Sequence, residues 1–246
     1  MSRRAYFLHR WISGLAALQL TIWAASGLFF ALSPERWVHG ERVEGAHERA
    51  LAVDGELVSP ASVLRIAALH GFDAPTHVEL RGTPAGPIYL VRQGPRSLRL
   101  DASSGELRPV TAEEAAQIVA RDQRGAPLPR SVTRIERDAP IGYRDHPLPA
   151  WEVRLDDPGS TAIYVDAQTG DVSARRTRTW RYYDFLWSLH IMDYRAREDF
   201  RHPLLIAFAL LALLTGATGS VLWILRIKRA QRRRGTSTPA LSSQGE

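Results

Sequence analysis

The sequence predicts an α+β chain in which two transmembrane helices flank a polar block built from two helix-and-sheet units. Three observations predict it. Residues 11–32 and 203–225 carry no charged side chain over 22 and 23 positions. The block between them repeats one pattern of helix, strands and an Asp-Gly turn. The basic residues crowd the outer ends of the two apolar runs, where membrane topology places them. Whole-chain averages hide this organisation. With 246 residues, 24% of them charged, and a mean hydropathy of −0.20, the chain reads at first as an ordinary soluble protein.

At 1.5 Å per residue the apolar runs reach about 33–35 Å, enough to cross a hydrocarbon core of about 30 Å. The net charge of +6 divides accordingly. Residues 1–32 contribute +3 through Arg3, Arg4 and Arg10. Residues 203–246 contribute +5, from Arg226, Lys228, Arg229, Arg232, Arg233 and Arg234 against Glu246. The central block is left at −2, so the basic balance does not point to nucleic acid, which would need its cations on the folded domain. The positive-inside rule places residues 1–10 and the basic tail 226–246 in the cytoplasm and residues 33–202 in the periplasm of a bacterial inner membrane.

Ser2-Arg3-Arg4-Ala5-Tyr6-Phe7-Leu8 resembles a twin-arginine export signal. The apolar run after it is longer than a signal h-region and ends Phe30-Ala31-Leu32-Ser33-Pro34 without a small-x-small cleavage site, so an uncleaved anchor is expected. The chain has no Cys. That excludes disulfides, thiol nucleophiles, Cys-ligated zinc and iron–sulfur clusters. Phosphate-binding loops, a G-x-S-x-G elbow, H-E-x-x-H and dinucleotide fingerprints are also absent from the sequence, so no catalytic residues are assigned.

After a linker over 33–58, the first unit (59–110) opens with Ser59 as N-cap and Pro60 at the first helical position. The second unit (111–176) opens with Thr111 and Glu114 at capping-box spacing, 52 residues later. Strands are expected at His77–Leu80, Ile88–Val91 and Ser97–Leu100, then at Val132–Ile135, Trp151–Leu155 and Ala162–Val165, most with the period-two alternation of half-buried antiparallel strands. Each unit ends alike, Leu100-Asp101-Ala102-Ser103-Ser104-Gly105-Glu106-Leu107 matching Val165-Asp166-Ala167-Gln168-Thr169-Gly170-Asp171-Val172. Asp101 and Asp166 cap a turn, Gly105 and Gly170 take a positive φ, and a further strand follows. The offset grows from 52 to 65, which places about 13 extra residues around 138–147.

On these residues the block resembles the PepSY domain, in tandem. The flanks His9-Arg10-Trp11-x-x-Gly14 and Trp180-Arg181-Tyr182-Tyr183-Asp184-Phe185-Leu186-Trp187-Ser188-Leu189-His190 are similar to PepSY-associated transmembrane proteins. The resemblance covers residues 5–228 and implies two readings. Isolated PepSY domains resemble inhibitory or binding modules of peptidase propeptides, which makes this chain a non-enzymatic module that binds or regulates a membrane or periplasmic partner. Larger members resemble ferric-siderophore reductases, which makes it an electron-transfer subunit holding haem b between histidines and acting in iron uptake.

For the second reading the candidate axial ligands are His9, His190 and His202, since neutral imidazole on a membrane helix is a common iron ligand. The plain alternative for His9 is an interfacial anchor beside Trp11. His9 and His190 belong at opposite membrane faces, and His190 and His202 would be about 18 Å apart on one unbroken helix, so a bend near Arg195–Arg201 or a second protomer is required. In the segment 177–202, Trp180, Tyr183, Trp187, His190 and Tyr194 fall near one helical face, suited to a membrane interface. His39, His47, His70, His77 and His146 lack tight ligand spacing and are expected on the surface or in loops. Small residues Gly27, Ala212, Gly216, Gly219 and Ser220 predict close helix contact, between the spans or in a homodimer through them. Gln19 and Thr21 can add bonds between helices. The end of the tail, 235–246, is polar and expected to be disordered.

Overall fold

The computed structural model describes residues 3–38, 55–123, 125 and 128–235. The chain divides into two units, one made of residues 1–32 and 184–246, the other of residues 33–183.

The first unit is helical. Helix α1 (Arg3–Leu32) and helix α6 (Pro203–Gly235) each contain a segment long and apolar enough to cross a membrane, Arg10–Leu32 and Pro203–Arg232. They touch each other. Ala16 and Ser26 of α1 are buried, and Ser13, Gln19 and Trp23 are half-buried in line with them at three- and four-residue steps, one face of a helix. On α6 the half-buried positions are Leu205, Phe208, Leu211, Ala212 and Thr215, and every described residue from Gly216 to Arg232 is exposed. Leu213, Leu214, Leu222 and Trp223 are among the large apolar side chains left uncovered. An exposed apolar surface on a helix of this length is solvated by lipid.

Between the spans helix α5 (Arg178–Ile191) ends before Tyr194, so Tyr194 leaves the aromatic face that an unbroken helix would give it. Met192 and Arg197 adopt left-handed φ of 57° and 63° to turn the chain. Asp193 organises the turn. Its carboxylate accepts the backbone N–H groups of Arg195, Ala196, Glu198 and Asp199 at 3.1–3.2 Å. Burial alone would raise its pKa, but those four donors hold it at about 2. His202 then precedes Pro203 at the start of α6 and accepts the N–H of Ile206.

In the second unit a short helix α2 (Glu35–Val38) precedes two sheet modules. The first places helix α3 (Pro60–Leu69) on the antiparallel sheet β1 (His77–Thr83), β2 (Gly86–Gln93), β3 (Arg96–Asp101). The second places helix α4 (Ala112–Asp122) on β4 (Pro129–Ile135), β5 (Ala150–Leu155), β6 (Ala162–Asp166) and β7 (Val172–Arg176), in that order. Ser59 and Thr111 cap the two helices by accepting the N–H of Ser62 and Glu114. Val63 and Ala67 of α3 pack on Tyr89, Val91 and Leu100. Ala115 and Val119 of α4 pack on Val153, Ile163 and Val165. Fully burying each valine, leucine or isoleucine side chain among them contributes roughly 1.5–3 kcal/mol.

The module ends are built alike. Asp101 Oδ1 accepts the N–H groups of Ser103 and Ser104, and Asp166 Oδ1 those of Gln168 and Thr169. Gly105 N–H and Gly170 N–H each donate 2.9 Å back to the aspartate carbonyl, with φ of +76° and +77°. Val58 N–H reaches Ala102 O, and Val110 N–H reaches Ala167 O. Tyr89 Oη donates to Val58 O, as Trp151 Nε1 does to Val110 O.

Two features differ from the strand pattern expected of the sequence. The strand after Gly170 forms as β7, but after Gly105 only a single bridge between Leu100 and Leu107 remains. Arg108 N–H still donates to Arg99 O, while its side chain goes to Asp101 and Ala85 O, and Pro109 then offers no N–H to continue a ladder. Strand β2 does not alternate, because Ile88, Tyr89, Leu90 and Val91 are all buried and the sheet is covered on both faces.

Candidate functional site

The site is built where α1 and α5 meet in the helical unit. His190 lies one residue before the end of α5, so its carbonyl has no helical partner. Trp23 of α1 supplies one, donating from Nε1 at 2.8 Å. One turn further along α1, Ser26 Oγ lies 2.7 Å from His190 Nδ1. Gly27 sits beside the ring, and a Cβ placed there would come 3.9 Å from His190 Cε1. Phe30 meets the imidazole edge-on at 5.4 Å, and Trp187 stacks at 6.4 Å. Trp187 is itself held by Phe30, Phe200 and a hydrogen bond from Nε1 to Arg197 O. Arg197 in turn is paired with buried Asp184.

Burial lowers the His190 pKa, so the ring is neutral near pH 7. A neutral imidazole with one nitrogen engaged by a hydrogen bond is donor chemistry that suits a haem iron. His190 would be a residue able to hold such a group. His202 starts α6 with its Nδ1 buried and without a partner. The helix break after Ile191 removes the unbroken-helix separation between these two histidines. The backbone of His9 lies on α1, 17 residues before Ser26 and about 25 Å along the axis, so the structure does not bring His9 to His190.

The small residues are placed unequally. Gly27 faces His190, and Ala212 is half-buried. Gly216 and Gly219 have no neighbour within 4 Å of a Cβ position, and Ser220 is exposed. Thr21 donates to Ala17 O within its own helix at 2.9 Å, because a helical threonine reaches the i−4 carbonyl first, and Gln19 Nε2 is buried without a partner.

The chain matches the family model of the PepSY-associated TM region over residues 6–242. It belongs to the PepSY-associated transmembrane family. No curated protein matches the chain beyond chance. As a member of this family it is a membrane PepSY protein, and the two long apolar helices agree.

In the sheet unit, a polar seam joins the two modules of this PepSY-associated chain. Arg99 of β3 meets Glu114 of α4 through both guanidinium nitrogens, with the two side chains only 2% and 3% exposed. Burial alone would raise Glu114, but the Arg99 bonds hold its carboxyl below the usual range. Arg81 ties Glu79 to Asp171 across the same seam. Beside it runs an open groove of ≈390 Å³, floored by Leu98, Leu107, Pro109 and Pro149 and edged by Arg108 and Arg134.

On the far face of the second sheet lies a cluster that sequence reasoning missed. Tyr143, fully buried, is stacked between His146 at 4.9 Å and Tyr164 at 4.7 Å. Tyr164 Oη donates to Glu152 at 2.8 Å. His146 is a loop residue, as the sequence reading has it, but burial and then the neighbouring Arg176 lower its pKa. The available signal was the 13-residue insertion carrying Tyr143-x-x-His146. His70 and His77 are exposed at the end of α3 and the start of β1. His39 and His47 lie outside the described residues.

Proposed function

We propose that this is a bacterial inner-membrane protein whose periplasmic module, residues 33–202, binds or regulates a membrane or periplasmic partner. The groove beside the Arg99–Glu114 seam carries this reading: it is apolar on its floor, where Leu107 is 51% exposed, and its rim carries Arg108 and Arg134, each paired with a carboxylate. Such a concavity accepts an extended segment of a partner. The two sheet modules are taken as tandem PepSY units. The matched bonds at Asp101 and Asp166 and at Val58 and Val110 support that repeat. The charge distribution supports both termini in the cytoplasm. The packing of Trp23 and Ser26 on His190 supports a first helix that stays with the chain as an anchor.

A second reading, a haem b electron-transfer subunit related to ferric-siderophore reductases, is favoured by His190. Its ring is fastened through Nδ1, its backbone and two aromatic neighbours, with Nε2 left for a ligand. Haem bound there supplies one-electron transfer. His202 of the same chain, or a histidine of a second protomer, would take the other axial position.

One measurement separates the readings. The protein is purified in mild detergent after expression with haem supplied, and reduced-minus-oxidised visible spectra are recorded. A b-type band that disappears in His190→Ala establishes the haem reading and removes the purely non-redox one. No band leaves the binding module, whose groove is tested by Leu107→Asp with loss of partner capture in a crosslinking assay.

A further inference from the structure

We infer that Ser26 is the positioning residue that fixes the His190 tautomer, keeping the proton on Nδ1 and leaving Nε2 as a bare donor atom. The inference rests on the haem reading for the identity of the ligand, but its structural content stands on hydrogen-bond geometry alone.

Ser26 Oγ has one proton and three partners. It lies 2.7 Å from Ile22 O, 3.2 Å from Trp23 O and 2.7 Å from His190 Nδ1. A carbonyl oxygen only accepts, so a 2.7 Å approach of two oxygens requires the hydroxyl proton between them. The one serine proton is thereby committed to Ile22 O. Toward His190, Ser26 then presents a lone pair, and the proton in that bond comes from Nδ1. A neutral imidazole protonated at Nδ1 is unprotonated at Nε2.

The surroundings hold this state. Ser26 is 3% exposed, so water does not compete for Oγ. Trp23 fixes the backbone of His190 at 2.8 Å, and Phe30 and Trp187 limit rotation of the ring. Gly27 leaves the approach to Cε1 open. A ring flip would bring Cδ2 against the serine oxygen and lose the bond. The arrangement matches the way metal-ligating histidines are oriented by a hydrogen bond at the other ring nitrogen, with a helix back-bonded serine in place of the usual carboxylate or carbonyl. Sequence alone gives no sign of it, because Ser26 and His190 are 164 residues apart.

The test uses the full-length protein in detergent, labelled with 15N-histidine and recorded at pH 8, alongside Ser26→Ala, Ser26→Thr and His190→Ala. The expected spectrum of the haem-free protein has His190 protonated at Nδ1 and unprotonated at Nε2. Ser26→Ala mixes the tautomers, and Ser26→Thr, which keeps a hydroxyl able to bond the i−4 carbonyl, restores the pattern. Titration with haemin then shows affinity about 10–100-fold weaker in Ser26→Ala than in wild type, with Ser26→Thr close to wild type. A wild-type His190 protonated at Nε2 overturns the inference whatever haem does, and so does haemin affinity lost in His190→Ala but unchanged in Ser26→Ala. If wild type binds no haemin yet shows the Nδ1-protonated ring, the haem reading fails and the tautomer lock stands.

Discussion

Arg99 and Tyr164 hold equivalent places in the two sheet modules, each two residues before the aspartate that closes the module, yet they answer the same structural problem differently. Both point away from the module's own helix, onto a sheet face that must be covered. On the first sheet that cover comes from the second module, and Arg99 is neutralised by Glu114 of α4. The second sheet has no module after it. Its face is closed by the insertion around Ile141–Tyr143, which lays Tyr143 on Tyr164, while Glu152 on the neighbouring strand receives the Tyr164 hydroxyl. An internal junction is thus ionic and specifies its partner, and a terminal face is aromatic and self-contained.

The largest effect in this comparison is expected at the ionic junction. Glu114→Ala leaves the Arg99 guanidinium buried without its carboxylate and costs about 3–5 kcal/mol in urea unfolding of the detergent-solubilised protein followed by tryptophan fluorescence. The double change Arg99→Met with Glu114→Leu restores most of that loss. Equal losses in the single and double variants would mean that the seam is not an ion-pair lock.

A smaller difference is expected between the two turns. Gly170→Ala places a Cβ in left-handed backbone and costs about 1–2 kcal/mol. Gly105→Ala carries the same strain and also brings its Cβ to 2.8 Å from Ile66 Cδ1, against 3.5 Å from Ile118 Cδ1 at Gly170, so it should be the more destabilising of the pair. The same unfolding assay ranks them, and the reverse order contradicts the packing described here. At the aromatic face, Tyr164→Phe keeps the stack and removes one bond to Glu152, which retains Arg154 at 2.9 Å; about 1.5 kcal/mol is expected.

The smallest effect is a pH dependence at the first turn, to which the lowered carboxyls of Asp193 and Glu114 add elsewhere in the chain. The Ser103 hydroxyl, then the N–H groups of Ser104 and Ser103 and the Arg108 guanidinium, hold the Asp101 carboxyl at about 2. Because that pKa is lowered on folding, Asp101 stabilises the protein fully above about pH 4 and loses this contribution as the pH falls toward 2. Asp101→Asn should flatten the acid limb of the stability curve in that window, and an unchanged limb would assign acid sensitivity to other carboxylates.

Much of the fold was legible in the sequence because it rests on local chemistry. Ser59-Pro60 and Thr111 start their helices through their own side chains, and the Asp-to-Gly turns close within five residues. The two charge-free runs read directly as lipid-phase helices. The functional region was legible only in part. His190 was visible as a histidine on an aromatic segment, but its fastening by Trp23 and Ser26 joins positions more than 160 residues apart. The tertiary arrangement also decided that Tyr194 leaves the helix, since Met192 and Asp193 turn the chain before it. Likewise the burial of Ile88 and Leu90 comes from a second layer that period-two patterning does not describe.

The proposed topology has two membrane spans holding one PepSY-containing block on a single, non-cytoplasmic side. Alkaline phosphatase, active only outside the cytoplasm, tests it when fused after residue 120 and after residue 235 of the full-length chain. Activity is expected for the first fusion and none for the second. An inactive fusion at 120, or an active one at 235, would contradict it.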